Sequence, residues 1–212
     1  MNKVISRMFA WLFAGILLSF AVAMFVIKND DLLAKIYSTG IYYIIIIAEL
    51  ITVIVFSRRI YKMSFTAAIF TYLLYSFLTG LTLSAIFVIY DITSIIYAFG
   101  VTAGLIFIFA LIGYFAKVDL TKISTYLFMA ILGLIICEII NIFIASQTFN
   151  FALLILGVII FIVYIAFDIQ KVKQNIYQLD DDKLPLMGAM ELYMDFINLF
   201  IRILELFGKR RD

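Results

Sequence analysis

Apolar runs long enough to cross a membrane fill almost the whole chain, separated by short polar stretches. Crossing roughly 30 Å of hydrocarbon takes about 20 helical residues at 1.5 Å each. Seven segments have that length: 8–27, 36–56, 64–89, 93–116, 122–145, 148–168 and 185–207. The breaks between them are short, so residues 1–212 read as a single seven-helix transmembrane domain with no linker and no internal repeat. The one proline, Pro185, suits the first turn of the seventh helix, behind the acidic run Asp180–Asp182. The first run follows Lys3 and Arg7 as a signal peptide would. It is long enough to span, however, and no small-x-small cleavage site closes it before residues 28–31, so it reads as a retained first span.

The seventh segment departs from the apolar pattern. In ELYMDFINLFIRILELFG, residues 191–208, the polar positions are Glu191, Asp195, Asn198, Arg202 and Glu205. Their spacings of 4, 3, 4 and 3 align them in one stripe on a helix. A charge at the bilayer centre costs about 2.5 kcal/mol or more, so such a stripe faces a bundle interior or water. The helix that carries it belongs in the middle of the others. The expected fold is therefore an all-α integral membrane protein with seven transmembrane helices and the C-terminal helix central in the bundle.

Composition sharpens this picture mainly by exclusion. The chain is 66% hydrophobic with a net charge of +2, which fits a lipid bilayer as its surroundings and gives no basis for nucleic-acid binding. It contains no histidine, which removes His-based metal sites, Ser–His catalysis and histidine proton relays. Proton chemistry here must run on carboxylates. The single cysteine, Cys137, has apolar neighbours and reads as a small filler. With the amino terminus in the cytoplasm, the cations Lys3, Arg7, Arg58, Arg59, Lys62, Lys117, Lys122, Lys171, Lys173 and Lys183 lie inside, against Lys28 and Lys35 outside. The tail at 209–212, KRRD, runs against this bias. Either the last helix turns back without crossing, or the earlier helices dominate the topology. The loop KVKQNIYQLDDDK, 171–183, lacks the spaced ligands and glycine of an EF-hand.

The carboxylates inside the spans are Glu49, Glu138, Glu191, Asp195 and Glu205, with Asp168 at the inner end of the sixth helix. Asp195 lies ten residues past Pro185, about 15 Å along a helix. Asp168 and Asp195 can meet if the seventh helix begins outside the hydrocarbon. Two carboxylates in a low-dielectric site cannot both ionise cheaply, and such a pair shares a proton. It would sense pH without a histidine. Arg58 or Arg59 in SRRIYKMS, 57–64, could compete for one carboxylate as a latch, and Asn198 could hydrogen-bond nearby. Glu138 with Asn141 fits a packing role on the fifth helix, and Glu49 fits either a packing or a pathway role.

Four stretches carry a family resemblance: SRRIYKMS at 57–64, GLTLSAIF at 80–87, AFDIQKVK at 166–173 and ELYMDFINLFIRILELFG at 191–208. With the hydropathy they resemble the Bax inhibitor-1 (TMBIM) family, prokaryotic members above all, over essentially the whole chain. The resemblance implies a seven-helix bundle around the last helix and a pH-sensitive calcium leak. It places the proton-sharing pair on Asp168 and Asp195, the latch on Arg58 or Arg59, and a pathway acid on Glu49. Glu191, Asn198, Arg202 and Glu205 complete the expected ion pathway, and Asp168 and Asp195 are the candidate calcium ligands.

Two other functional classes stand beside the leak. One is a quality-control modulator that binds a membrane protease without conducting ions, as some bacterial relatives look to be. The other is an intramembrane aspartyl protease; such enzymes resemble a GxGD motif on the second catalytic helix, and LYMD at 192–195 is not one. The expectation is a non-enzyme with calcium and protons as its ions, no further cofactor, and a place in the bacterial plasma membrane.

Overall fold

A computed structural model describes residues 2–175 and 182–211. Of the acidic run anticipated at 180–182, Asp180 and Asp181 lie outside the described residues. The elements in chain order are α1 (Asn2–Ile27), α2 (Asp30–Ser38), α3 (Ile41–Arg59), α4 (Phe65–Ile89), α5 (Ile92–Phe115), a 3-10 turn (Leu120–Ile123), α6 (Ser124–Ile144), α7 (Gln147–Asn175) and α8 (Lys183–Phe207). Seven of these helices are long and apolar enough to cross a membrane. The last is the most enclosed: 78% of its spanning window is buried, against 56% for α7 and 11% for α6.

Three boundaries differ from the hydropathy reading. The first helix begins at Asn2 rather than residue 8, because its polar first turns continue the helix outside the apolar run. Residues 36–38 do not open the second span; they close the separate short helix α2. The Asn29 side chain caps α2 by accepting from Leu32 N at 3.1 Å, and Asp30 and Asp31 favour the positive end of the helix. Gly40 then turns the chain into α3 with φ +76°, a left-handed conformation that glycine adopts without strain. Finally, α7 runs to Asn175, so Asp168 lies two turns inside the helix instead of closing it.

The chain divides into two compact units. The first comprises residues 1–91, 176–193 and 210–212. In it α1 and α4 approach closely through small residues. A Cβ on Gly80 would stand 2.7 Å from both the Ser19 carbonyl oxygen and Val22 Cβ. Close backbone approach at small residues is how apolar helices associate where lipid offers no hydrophobic contrast. Tyr72 donates its hydroxyl to the Trp11 carbonyl at 2.7 Å. The amphipathic α2 tucks Ile36 against Val26 and Ile45.

The second unit comprises residues 92–175 and 194–209. Its α5 and α7 meet where Gly113 faces the backbone of Ala166. The continuation of α7 through QKVK follows from what those side chains bind. Gln170 donates to the Val118 carbonyl at 2.7 Å and accepts from Leu120 N at 2.7 Å, closing the turn after α5. Lys173 donates to the Tyr114 carbonyl at 2.9 Å, placing a cation at the negative end of α5. At the other end of α6, Ala145 adopts φ 52° and the Asn141 side chain accepts from Ser146 N at 3.2 Å, so Asn141 serves the α6–α7 turn.

The basic tail follows the end of α8 at Phe207. Lys209 N donates to Ser94 Oγ at 2.9 Å, and within the first unit Arg211 N donates to the Ile89 carbonyl at 2.9 Å.

Candidate functional site

Asp168 and Asp195 are both buried, each 5% exposed, and both belong to the second unit. Helix α8 starts at Lys183, which puts Asp195 twelve residues, about 18 Å, into it. Tyr164 lies one turn before Asp168 on α7. Its hydroxyl is within electrostatic reach of both carboxylates. Beside Asp195, Phe196 packs edge-on against Phe99 at 5.3 Å and stacks on Phe200 at 6.2 Å, an apolar wall that keeps the local dielectric low.

The five-residue stripe divides on folding. Glu191 lies half-buried in the first unit. Asp195 and Arg202 are seven residues apart, close to two full turns, and both are buried. Asn198 and Glu205 sit at the stripe's edge and are exposed. Asn198 donates to the Met194 carbonyl of its own helix at 2.8 Å, whereas Glu205 accepts from Asn150 Nδ2 at 2.9 Å.

Arg202 reaches further. Its Nη2 donates to Glu138 Oε1 on α6 at 2.5 Å, and its guanidinium lies 5.5 Å from the centre of the Phe161 ring. The pairing of Glu138 with Arg202 is not visible in either segment's periodicity. A charge-bearing α6 beside a charge-bearing α8 is the only signal that points to it.

Arg58 and Arg59 occupy the last turn of α3, in the first unit, and both are exposed. Neither pairs with a carboxylate among the described residues. Their present setting favours the negative end of α3. Glu49, half-buried on the same helix, accepts from Thr79 Oγ1 at 2.6 Å and from Thr82 Oγ1 at 3.3 Å.

That carboxylate adjoins a hydroxyl network that the sequence reading did not single out. Ser19 Oγ hydrogen-bonds Tyr193 Oη and reaches the Ser76 carbonyl at 2.6 Å. Ser19, Ser76, Thr79 and Tyr193 are all at most 1% exposed. The available signal was the small-x-x-x-small spacing of Gly15 with Ser19 and of Ser76 with Gly80. Among the described residues no three acidic or thiol side chains converge as a metal cluster.

The whole chain, residues 1–212, matches the family described as Inhibitor of apoptosis-promoting Bax1. The chain belongs to the Bax inhibitor-1 family. Its similarity to the inner membrane protein YbhL of Escherichia coli strain K12 is 37% identity over 213 residues, covering 97% of this chain and 91% of YbhL. An uncharacterized protein of Borreliella burgdorferi is 36% identical over 217 residues, covering all of this chain and 94% of its own. An uncharacterized membrane protein of Streptococcus pyogenes serotype M1 is 38% identical over 173 residues, 80% of this chain and 75% of that protein. This Bax inhibitor-1 member is thus a membrane protein with bacterial relatives, and its seven apolar helices supply the spans.

Proposed function

We propose that this protein is a pH-sensitive calcium leak in the bacterial plasma membrane, its amino terminus cytoplasmic, gated by a proton shared between Asp168 and Asp195. The observation that carries the reading is the burial of both carboxylates, on successive helices, within electrostatic range of the same Tyr164 hydroxyl. Buried carboxylates repel when both are ionised, and one shared proton removes that repulsion. Protonation then favours the packed arrangement of α7 against α8, and deprotonation loosens it. Calcium prefers oxygen ligands, and the carboxylates of Asp168 and Asp195 supply them in a chain without histidine. Arg58 or Arg59 would act as the latch by exchanging onto one carboxylate in a second conformation.

The test is calcium flux into proteoliposomes from pH 5 to 8. Wild type should conduct with a sigmoidal pH dependence, and Asp195→Asn should flatten that profile because one carboxamide cannot share the proton. Equal flux and equal profiles in the two proteins would remove the pair as the gate. Null flux together with one stoichiometric membrane partner would favour the protease-binding modulator instead.

A further inference from the structure

Arg202 is a buried cation on the same helix as Asp195. It is 9% exposed and two turns beyond Asp195 on nearly the same side of α8. An arginine side chain stays protonated in proteins. Its fixed charge lies five residues before the end of α8 at Phe207, and Glu138 lies six before the end of α6 at Ile144. Both positions are thus about 7–9 Å inside the ends of their spans.

The surroundings hold the guanidinium in place. Nη2 donates to Glu138 at 2.5 Å, Nη1 is 3.5 Å from the Leu153 carbonyl, and Phe161 presents its ring face. Gly157 leaves the room on α7, where a Cβ would run into the guanidinium. A cation leaving Asp195 along this side of α8 therefore approaches a positive charge whose ion-pair partner among the described residues is Glu138. Glu138 sits on the least buried spanning helix, its side chain 39% exposed. An acid there is costly unless it is paired.

We propose that Glu138 is a selectivity-determining residue of the leak: it cancels the Arg202 charge beside the cation path. This rests on the channel reading above. Without Glu138 the arginine repels cations and attracts anions at short range in a poorly screened setting. Without both, the path is neutral again.

Purified protein in planar bilayers under a calcium chloride gradient reads the calcium-to-chloride permeability ratio from reversal potentials. Glu138→Gln should lower the ratio by at least about tenfold, and Glu138→Gln with Arg202→Gln should return it to within about threefold of wild type. A pair that only fastens α6 to α8 predicts a double variant no better than the single one, and that result overturns the proposal. An unchanged ratio in Glu138→Gln overturns it as well. Should that variant fail to fold, Arg202→Gln alone decides: a ratio at or above wild type supports the proposal, and a fall refutes it. A wild type that passes no calcium removes the channel reading and this inference together. A conducting wild type with unaltered variants removes this inference alone.

Discussion

Two glycines on α5 allow the steric cost of the α5–α7 contact to be measured with its own control. Gly113 faces α7, where a Cβ would stand 2.7 Å from Ala166 Cα and closer still to the Ala166 carbonyl oxygen. Gly104, on the same helix, has nothing within 4 Å of an added Cβ. Replacing either by alanine gains the same helix propensity, up to about 1 kcal/mol. That gain cancels in the comparison. What remains is the overpacking at Gly113, where the obstacle is backbone and cannot rotate away, and this costs about 1–3 kcal/mol. Gly104→Ala should therefore be neutral or stabilising by up to about 1 kcal/mol. Gly113→Ala should lie about 1–3 kcal/mol below it, roughly 5- to 150-fold in the folded-to-unfolded ratio. The assay is reversible unfolding in mixed micelles with a denaturing detergent, followed by far-ultraviolet circular dichroism. A difference below about 0.5 kcal/mol between the two variants would refute the close approach of α5 and α7. The contact bears on the proposed gate, because Ala166 precedes Asp168 by two residues and any shift of α7 there carries the carboxylate with it.

Two further outcomes follow from the polar contacts. Tyr193→Phe removes the hydroxyl bonded to Ser19 while the ring stays against Tyr72 and Tyr75, so unfolding should cost about 0.6–1.5 kcal/mol less than in wild type, with the pH profile of flux unmoved. A displaced profile would give the hydroxyl network a part in gating. Asp119, outside the spans, accepts from Thr121 N and Oγ1 at 3.1 and 2.6 Å and from Gln174 at 3.1 Å, and the Thr121 and Gln174 side-chain bonds hold its carboxyl below the usual range. A depressed carboxylate stabilises the fold above the ordinary carboxylate range and loses that contribution as pH falls through its own lower value. The Thr121 amide should exchange faster as pH drops below about 4, relative to a neighbouring amide, and Asp119→Ala should abolish that pH dependence. A persistent acid transition in the variant would assign it to another group.

The seven spans and the polar face of α8 were legible because each depends on one stretch of chain alone. Hydrophobic length selects a membrane helix, and 3.6-residue periodicity selects a face, before any partner is known. The same local logic anticipated Pro185 within the first turn of α8. Short amphipathic α2 escaped because nine residues with two acids fall below any spanning signal, although its Asn29 cap is a local feature. The extension of α7 past Asp168 escaped for a different reason. Its polar residues look like a loop in one dimension and are held in helix by partners around the end of α5, more than fifty residues away.

Pairing is where tertiary structure alone decides. Glu138 was read together with Asn141, one turn along its own helix, yet it bonds Arg202 while Asn141 serves the α6–α7 turn. Which edge of the α8 stripe reaches the surface and which turns inward was equally hidden, since the neutral Asn198 is exposed and the charged Arg202 is buried, the reverse of what polarity alone suggests. A periodic pattern states that polar groups share a face. The rotation of each helix and its axial register against a neighbour arise from packing at glycines such as Gly113 and Gly157, and those two quantities determine which charges meet.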